Sequence, residues 1–160
     1  MVDTGLIGYG KWGKVIHKKL SRISNVKFVC TSSDDYELLL DDIDWVIVAT
    51  PNQTHYEIVK KCIEKNKNVF CEKPLTLSYD QSKELYLLAK QNKVHLYVDD
   101  IQNYRKVDFK FKSINLVMRK KKSSSKIKDI LYDLVYHDVY LLYDFIKDSK
   151  IMDFKVFDKK

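Results

Sequence analysis

Glycine and proline are scarce, with four and two among 160 residues, too few for a loop-rich or disordered chain. Also missing is any apolar run approaching the roughly 18 residues that span a bilayer. No basic, apolar and small-residue signal stretch precedes the first apolar segment, so the expectation is a cytoplasmic protein with no membrane partner. Cysteine is limited to Cys30, Cys62 and Cys71, an odd number without metal-ligand spacing. Two of them lie inside apolar runs and read as reduced core thiols, with no metal site expected. What is present is globular: 45% hydrophobic and 32% charged residues, over a length that allows one core with a small appendage.

Acids are outnumbered by bases, 22 to 29, for a net charge of +7. The lysines are dispersed except for Arg119, Lys120, Lys121 and Lys122, which run into Ser123, Ser124 and Ser125. That composition reads first as a solvated loop and second as a patch for a phosphorylated substrate or nucleic acid. Aromatic residues do not interleave with the basic ones as in RNA-binding segments, so nucleic acid is not the expected partner.

Strand and helix patterns alternate over the first hundred residues. Short apolar strands are expected at 2–7, 26–31, 45–50, 68–71 and 94–98. Between them lie a helix over 11–23 with the stripe Trp12, Val15, Ile16, Leu20 and Ile23, and one or two helical turns over 36–40. A third helix carries Tyr56, Val59 and Ile63 and is capped by Asn52 or Thr54. The last helix, 78–92, opens with Ser78 and Gln81 in a capping-box pattern. Alternation of this length implies parallel βαβ units in an α/β, Rossmann-type doubly wound sheet. The remainder holds a candidate strand at 109–118, a helix over 127–146 and a strand at 151–157. This is a small α+β part that cannot bury a core alone. The organisation expected is therefore a dinucleotide-binding domain over 1–105 and a reduced substrate or oligomerisation domain over 106–160.

Three of the four glycines fall in one hexapeptide, Gly8-Tyr9-Gly10-Lys11-Trp12-Gly13, after a strand and at the start of a helix. In that setting GxGxxG is a dinucleotide fingerprint. The first glycine makes the tight turn, the second lets backbone approach the pyrophosphate, and the third lets helix and strand lie close. The helix N-terminus then offers unpaired N–H groups and partial positive charge to the phosphates. An acid that holds the adenosine ribose is expected about 20 residues on. The corner reads Thr31-Ser32-Ser33-Asp34-Asp35, with the hydroxyls of Thr31 and Ser32 in the expected place and two acids just beyond. Neither NAD nor NADP is selected by this corner, since no Lys or Arg stands there to bind a 2′-phosphate.

The glycine turn followed by VIVATPNQTHYEIVKKCIEKNKNVFCEKPLTLS, residues 46–78, resembles the Gfo/Idh/MocA oxidoreductases, which include glucose–fructose oxidoreductase and inositol dehydrogenase. The resemblance continues through VDDIQNYR (98–105) and returns at DLVYHDVYLL (133–142), which is similar to the family's DxGxHxxDLL helix. It implies that Lys73 of Glu72-Lys73-Pro74 contacts the nicotinamide ribose and the substrate and assists proton transfer, with Pro74 at a tight turn that aims it. His137 matches the family's acid/base histidine, and Asp133 the aspartate that supports it. Four residues apart on a helix, these two share a face, and histidine suits proton transfer near neutral pH. Thr50, Pro51, Asn52 and His55 match a loop lining the cofactor, and Glu72 joins Lys73 and Pro74 there. Plainer readings stand beside these. Lys73 can be a surface lysine, Asp133 and His137 a surface pair, and His55 a packing histidine. His17 and His95 read as structural, and Tyr132, Tyr136, Tyr140 and Tyr143 as packing residues.

This chain departs from the family in length, since members commonly run to more than twice as far. Val135 stands where DxGxH has glycine, and Asp99 replaces the usual glycine after Val98. The resemblance implies an NAD(P)-dependent oxidoreductase transferring a hydride between nicotinamide and a hydroxyl of a sugar, sugar phosphate or sugar nucleotide. Because much of the substrate wall is missing, a homo-oligomer is expected. The alternative is a non-catalytic dinucleotide-binding protein with a regulatory or scaffolding role.

Overall fold

A computed structural model of the chain describes residues 1–100, together with Val139 and Tyr143, both helical. Asp133, His137, the basic run at 119–122 and the elements expected beyond residue 105 lie outside the described residues. Met1–Asp99 forms one compact unit.

The elements follow the expected alternation: β1 (Asp3–Ile7), α1 (Lys11–Leu20), β2 (Asn25–Cys30), β3 (Trp45–Val48), α2 (His55–Glu64), β4 (Asn68–Cys71), α3 (Tyr79–Asn92) and β5 (Leu96–Val98). A 3-10 turn at Tyr36–Leu39 replaces a full helix between β2 and β3. The sheet order is β2-β1-β3-β4-β5, and every pairing is parallel. This is the doubly wound arrangement. The chain leaves β1 toward β2 on one side and returns to β3 on the other, so a crevice opens where the carboxyl ends of β1 and β3 diverge.

The apolar runs explain the strands. Val46, Val48, Val69 and Cys71 are buried and pack with Val59, Cys62 and Ile63 of α2 and Leu85 and Ala89 of α3. β-branched side chains fit a sheet covered by helices and give it nearly continuous apolar character. All three cysteines are free and buried, and burial pushes the Cys62 thiol up to about 12. Such thiols stay protonated and unreactive.

Three local expectations are corrected. The helix expected over 11–23 ends at Leu20, and part of its apolar stripe is not buried: Trp12, Val15 and Ile23 are exposed. Gly13 is the residue of α1 that is buried, so this helix meets the sheet by backbone proximity rather than by a wide side-chain face. Thr54 precedes α2 without capping it. Its hydroxyl turns back to the Pro51 carbonyl (2.8 Å) and the Thr50 hydroxyl (2.9 Å), in a 3-10 turn over Asn52–Thr54. Ser78 occupies the N-cap of α3 but makes no capping bond. The Thr76 hydroxyl does the local work instead, accepting from the Ser78 N–H (3.1 Å) and meeting the Ser82 hydroxyl (2.8 Å). Ser and Thr hydroxyls have several backbone partners within reach, and spacing alone does not choose among them. No helix among the described residues is long and apolar enough to cross a membrane.

Candidate functional site

The glycine turn sits at the crevice. Gly8 has φ +103°, and a Cβ there would lie 2.5 Å from the Ala49 carbonyl oxygen, so β1 and β3 approach at backbone distance. A Cβ on Gly13 would collide with the carbonyl oxygen of Gly8, so the helix rests directly on the turn. Gly10 is different. It is the N-cap of α1 in extended backbone (φ −70°, ψ −168°), makes no side-chain cap, and a Cβ there would meet nothing within 4 Å. The first-turn N–H groups of Lys11, Trp12 and Gly13 have no acceptor within the helix, and no acid occupies that turn. The result is a positively polarised cradle of backbone donors, with open space where a side chain at position 10 would stand. Its shape and donor chemistry fit a pyrophosphate.

Other residues of the turn are engaged elsewhere. The Tyr9 ring lies edge-on to His17 at 5.5 Å, with its hydroxyl 3.3 Å from His17 Nδ1, and Lys14 Nζ stands 5.7 Å from the ring centroid. His17 is thereby a packing partner, and His95 stacks with Trp45 and Tyr97.

The carboxyl end of β2 carries a feature that spacing did not reveal. Asp34 folds back so that one carboxylate oxygen accepts from the Thr31 N–H (2.6 Å) and the Thr31 hydroxyl (2.7 Å). These bonds, the backbone one first, hold its carboxyl below the usual range, so it is ionised at neutral pH. The Thr31 hydroxyl is also 2.9 Å from Ser33 Oγ. Asp34, three residues beyond Thr31 in sequence, is thus an ionised acid returned to the end of β2 by the turn.

On the other side of the crevice, His55 is buried, and its two ring nitrogens face two carbonyl oxygens. Nδ1 lies 2.8 Å from Pro74 O and Nε2 2.9 Å from Thr50 O. Carbonyl oxygens only accept, so a ring N–H is the donor wherever one of these contacts is a hydrogen bond. His55 thus ties the loop after β3 to the loop after β4, the two segments matched to the cofactor lining and the EKP turn. The plainer sequence reading, a packing histidine, describes its side chain. Replacing His55 by leucine leaves the buried Pro74 carbonyl without this partner, at about 1–3 kcal/mol. Thermal melting is expected to show a drop of roughly 5–20 °C for a domain of this size. An unchanged melting temperature would remove the clamp.

The EKP turn follows directly on β4, where the Glu72 N–H donates to Val48 O (2.9 Å) and the Asp99 N–H to Cys71 O (2.8 Å). The Lys73–Pro74 peptide bond is cis, and Lys73 is half-buried. Glu72 meets two elements beside its own. Trp12 of α1 donates its indole N–H to Glu72 Oε1, and Asp99 lies beside it at the end of β5. Burial, first of all, pushes the Glu72 carboxyl up to about 7; the Asp99 charge and hydrogen bond add to the rise, while the Trp12 bond and the Lys73 charge oppose it. The structure therefore gathers Gly8, Gly10, Gly13, Trp12, Glu72 and Asp99 around one sheet edge, with Thr50, Pro51 and Asn52 on the adjoining loop. Asp34 and Asp99, noted in the sequence but given no role there, stand beside these residues.

Comparison with known proteins agrees with this geometry. Residues 14–100 match the family described as "Oxidoreductase family, NAD-binding Rossmann fold". A Streptococcus pneumoniae uncharacterized oxidoreductase is 45% identical over 122 residues, covering 65% of this chain and 33% of that protein. The 2,7-anhydro-N-acetylneuraminate hydratase of Escherichia coli is 30% identical over 122 residues, again covering 65% and 33%. Among solved structures, UDP-N-acetylglucosamine 3-dehydrogenase from Acidithiobacillus ferrooxidans superposes with a TM-score of 0.59 at 24% identity, over 64% of this chain and 38% of that one. The last likeness speaks to the fold alone. The chain spans about a third of the length of the curated relatives it matches.

Proposed function

The chain belongs to the oxidoreductase family with an NAD-binding Rossmann fold, and on that premise we propose that it holds NAD at the glycine turn and serves hydride exchange with a hydroxyl of a sugar or sugar derivative. The observation that carries the coenzyme assignment is the cradle at Gly10, where the helix N-terminus is uncapped and the Cβ space is open. Asp34 supports NAD over NADP, because an ionised carboxylate accepts from ribose hydroxyls and repels a 2′-phosphate. The sugar class is supported by a relative whose name refers to a sialic acid derivative.

Bound there, the coenzyme supplies the hydride acceptor or donor. The chain's own residues do the rest. Backbone N–H groups of Lys11, Trp12 and Gly13 fix the pyrophosphate, Asp34 the adenosine ribose, and the Thr50, Pro51 and Asn52 loop one wall. Lys73, set by the EKP turn, handles the proton of the substrate hydroxyl, with His137 as acid/base and Asp133 supporting it, as the family resemblance implies.

The test is turnover of a sugar panel with NAD, read by absorbance of the reduced coenzyme. Lys73→Met is expected to lower turnover by about 10²–10⁴-fold with little change in NAD affinity. Unchanged turnover would remove Lys73 from the chemistry. NAD binding without turnover of any sugar would favour the non-catalytic alternative.

A further inference from the structure

Glu72 and Asp99 continue two strands that are register partners up to Cys71 and Val98, so their side chains leave neighbouring points of the same sheet edge. In a doubly wound sheet the β2 side of the crevice takes the adenosine half of a dinucleotide, which leaves the β3, β4 and β5 side for the nicotinamide half. The Glu72 carboxyl is on that side. The groups acting on it are Trp12 from α1, Asp99 from β5 and Lys73 from its own loop. Oxidised nicotinamide carries a positive ring charge and the reduced ring carries none, so the two coenzyme forms present different fields to this carboxyl.

We propose that the Glu72 and Asp99 pair distinguishes the oxidised from the reduced coenzyme by a proton: Glu72 keeps its proton in the free protein and in the reduced complex, and releases it to solvent when the cationic form binds. The O–H bond of the Glu72 carboxyl breaks, its electron pair stays on the carboxylate, and the proton passes to the buffer with no electron transferred. Trp12 stabilises the resulting anion through its indole N–H, while Asp99 keeps the proton in place until a cation offsets its charge. The proposal rests on the coenzyme reading above and adds to it an identity for the group that senses the redox form. Asp99 is central to it, since the family resemblance places glycine there and a glycine would supply no opposing charge.

The sign of the linkage is fixed by which state holds more protons. Free protein holds more than the oxidised complex, so affinity for NAD⁺ rises with pH and levels off once Glu72 is ionised in the free protein. The rise is expected to be about fivefold between about pH 6 and pH 8, with no such rise for NADH. Calorimetric titration of the full chain near pH 6.5, in buffers of different ionisation heat, is expected to show about half a proton released per NAD⁺ and none per NADH. Glu72→Gln is expected to make the NAD⁺ heat independent of buffer. Asp99→Asn lowers the proton affinity of Glu72 and so shrinks the release at the same pH, which keeps the test open if the first variant does not fold. Equal proton counts for both coenzyme forms, or buffer-independent NAD⁺ heat in the unaltered protein, would overturn the proposal while leaving the coenzyme site standing. Absence of heat with either form in every buffer would overturn the site and the proposal together.

Discussion

Gly10→Ala is expected to leave the protein folded and to weaken NAD binding by about 100-fold or more, roughly 3 kcal/mol. Gly13→Ala is expected to do the opposite first, destabilising the fold itself. The distinction comes from where each methyl group would go. At position 10 the backbone is extended, a conformation alanine adopts freely, and the methyl enters open space. Its cost to stability is that of alanine at an N-cap, below about 1 kcal/mol. The open space is the cradle, so the methyl takes the place of phosphate oxygens. At position 13 the methyl meets the carbonyl oxygen of Gly8, backbone against which nothing can rotate away. Overpacking of that kind costs about 1–3 kcal/mol or more, which in a domain of this size lowers the melting temperature by roughly 5–20 °C. Circular dichroism melts and coenzyme titrations on the two variants separate the effects. A Gly10→Ala protein that binds NAD as well as the parent would show that the cradle holds something else.

The second large effect concerns the coenzyme's 2′ position. NAD is expected to bind roughly tenfold to a hundredfold more tightly than NADP, because Asp34 is ionised and returned to the end of β2 by its bonds to Thr31. Asp34→Ser is expected to bring the two affinities within about threefold, mostly by weakening NAD. Asp34→Arg is expected to reverse the preference, since a guanidinium pairs with phosphate. The carboxylate is exposed, so added salt narrows the difference between the coenzymes. Fluorescence titrations with the two reduced coenzymes at low and high ionic strength measure this directly. Equal affinities in the unaltered protein would leave Asp34 a loop-folding residue with no part in recognition.

Strand–helix alternation, parallel pairing and the glycine turn were legible in the sequence because each rests on a short, strong signal. The run Trp-Val-Ile-Val at Trp45–Val48 has room for little but a buried strand, and GxGxxG between strand and helix admits one backbone path. Helix ends were less legible. Thr54 and Ser78 stand at the right places for caps, yet their hydroxyls make other bonds or none at the cap, since rotamer and turn geometry decide among partners at similar reach. The apolar stripe of α1 overstated its burial, because Gly13 brings the helix axis so near the strand that contact is made by backbone. At the site, Gly8, Gly10 and Gly13 were readable, and the tie between Thr50 and Pro74 through His55 was not, because it joins segments 24 residues apart through a side chain that the motif alone would aim at the coenzyme. Asp34 was visible as an acid just beyond the corner, but its return to the strand end was not: the spacing rule counts along the chain, while the turn shortens the path in space. Glu72 and Asp99 are distant in sequence and meet only because β4 and β5 pair in register.

Nuclear magnetic resonance of the isotopically labelled chain, titrated with NAD, tests the central claim most directly. The backbone amides of Lys11, Trp12 and Gly13 are expected to move first and furthest, with Gly8 and Thr31 following and α3 nearly still. Movements centred on the outer face of α1, at Lys14, Lys18 and Arg22, with the turn amides fixed, would contradict it.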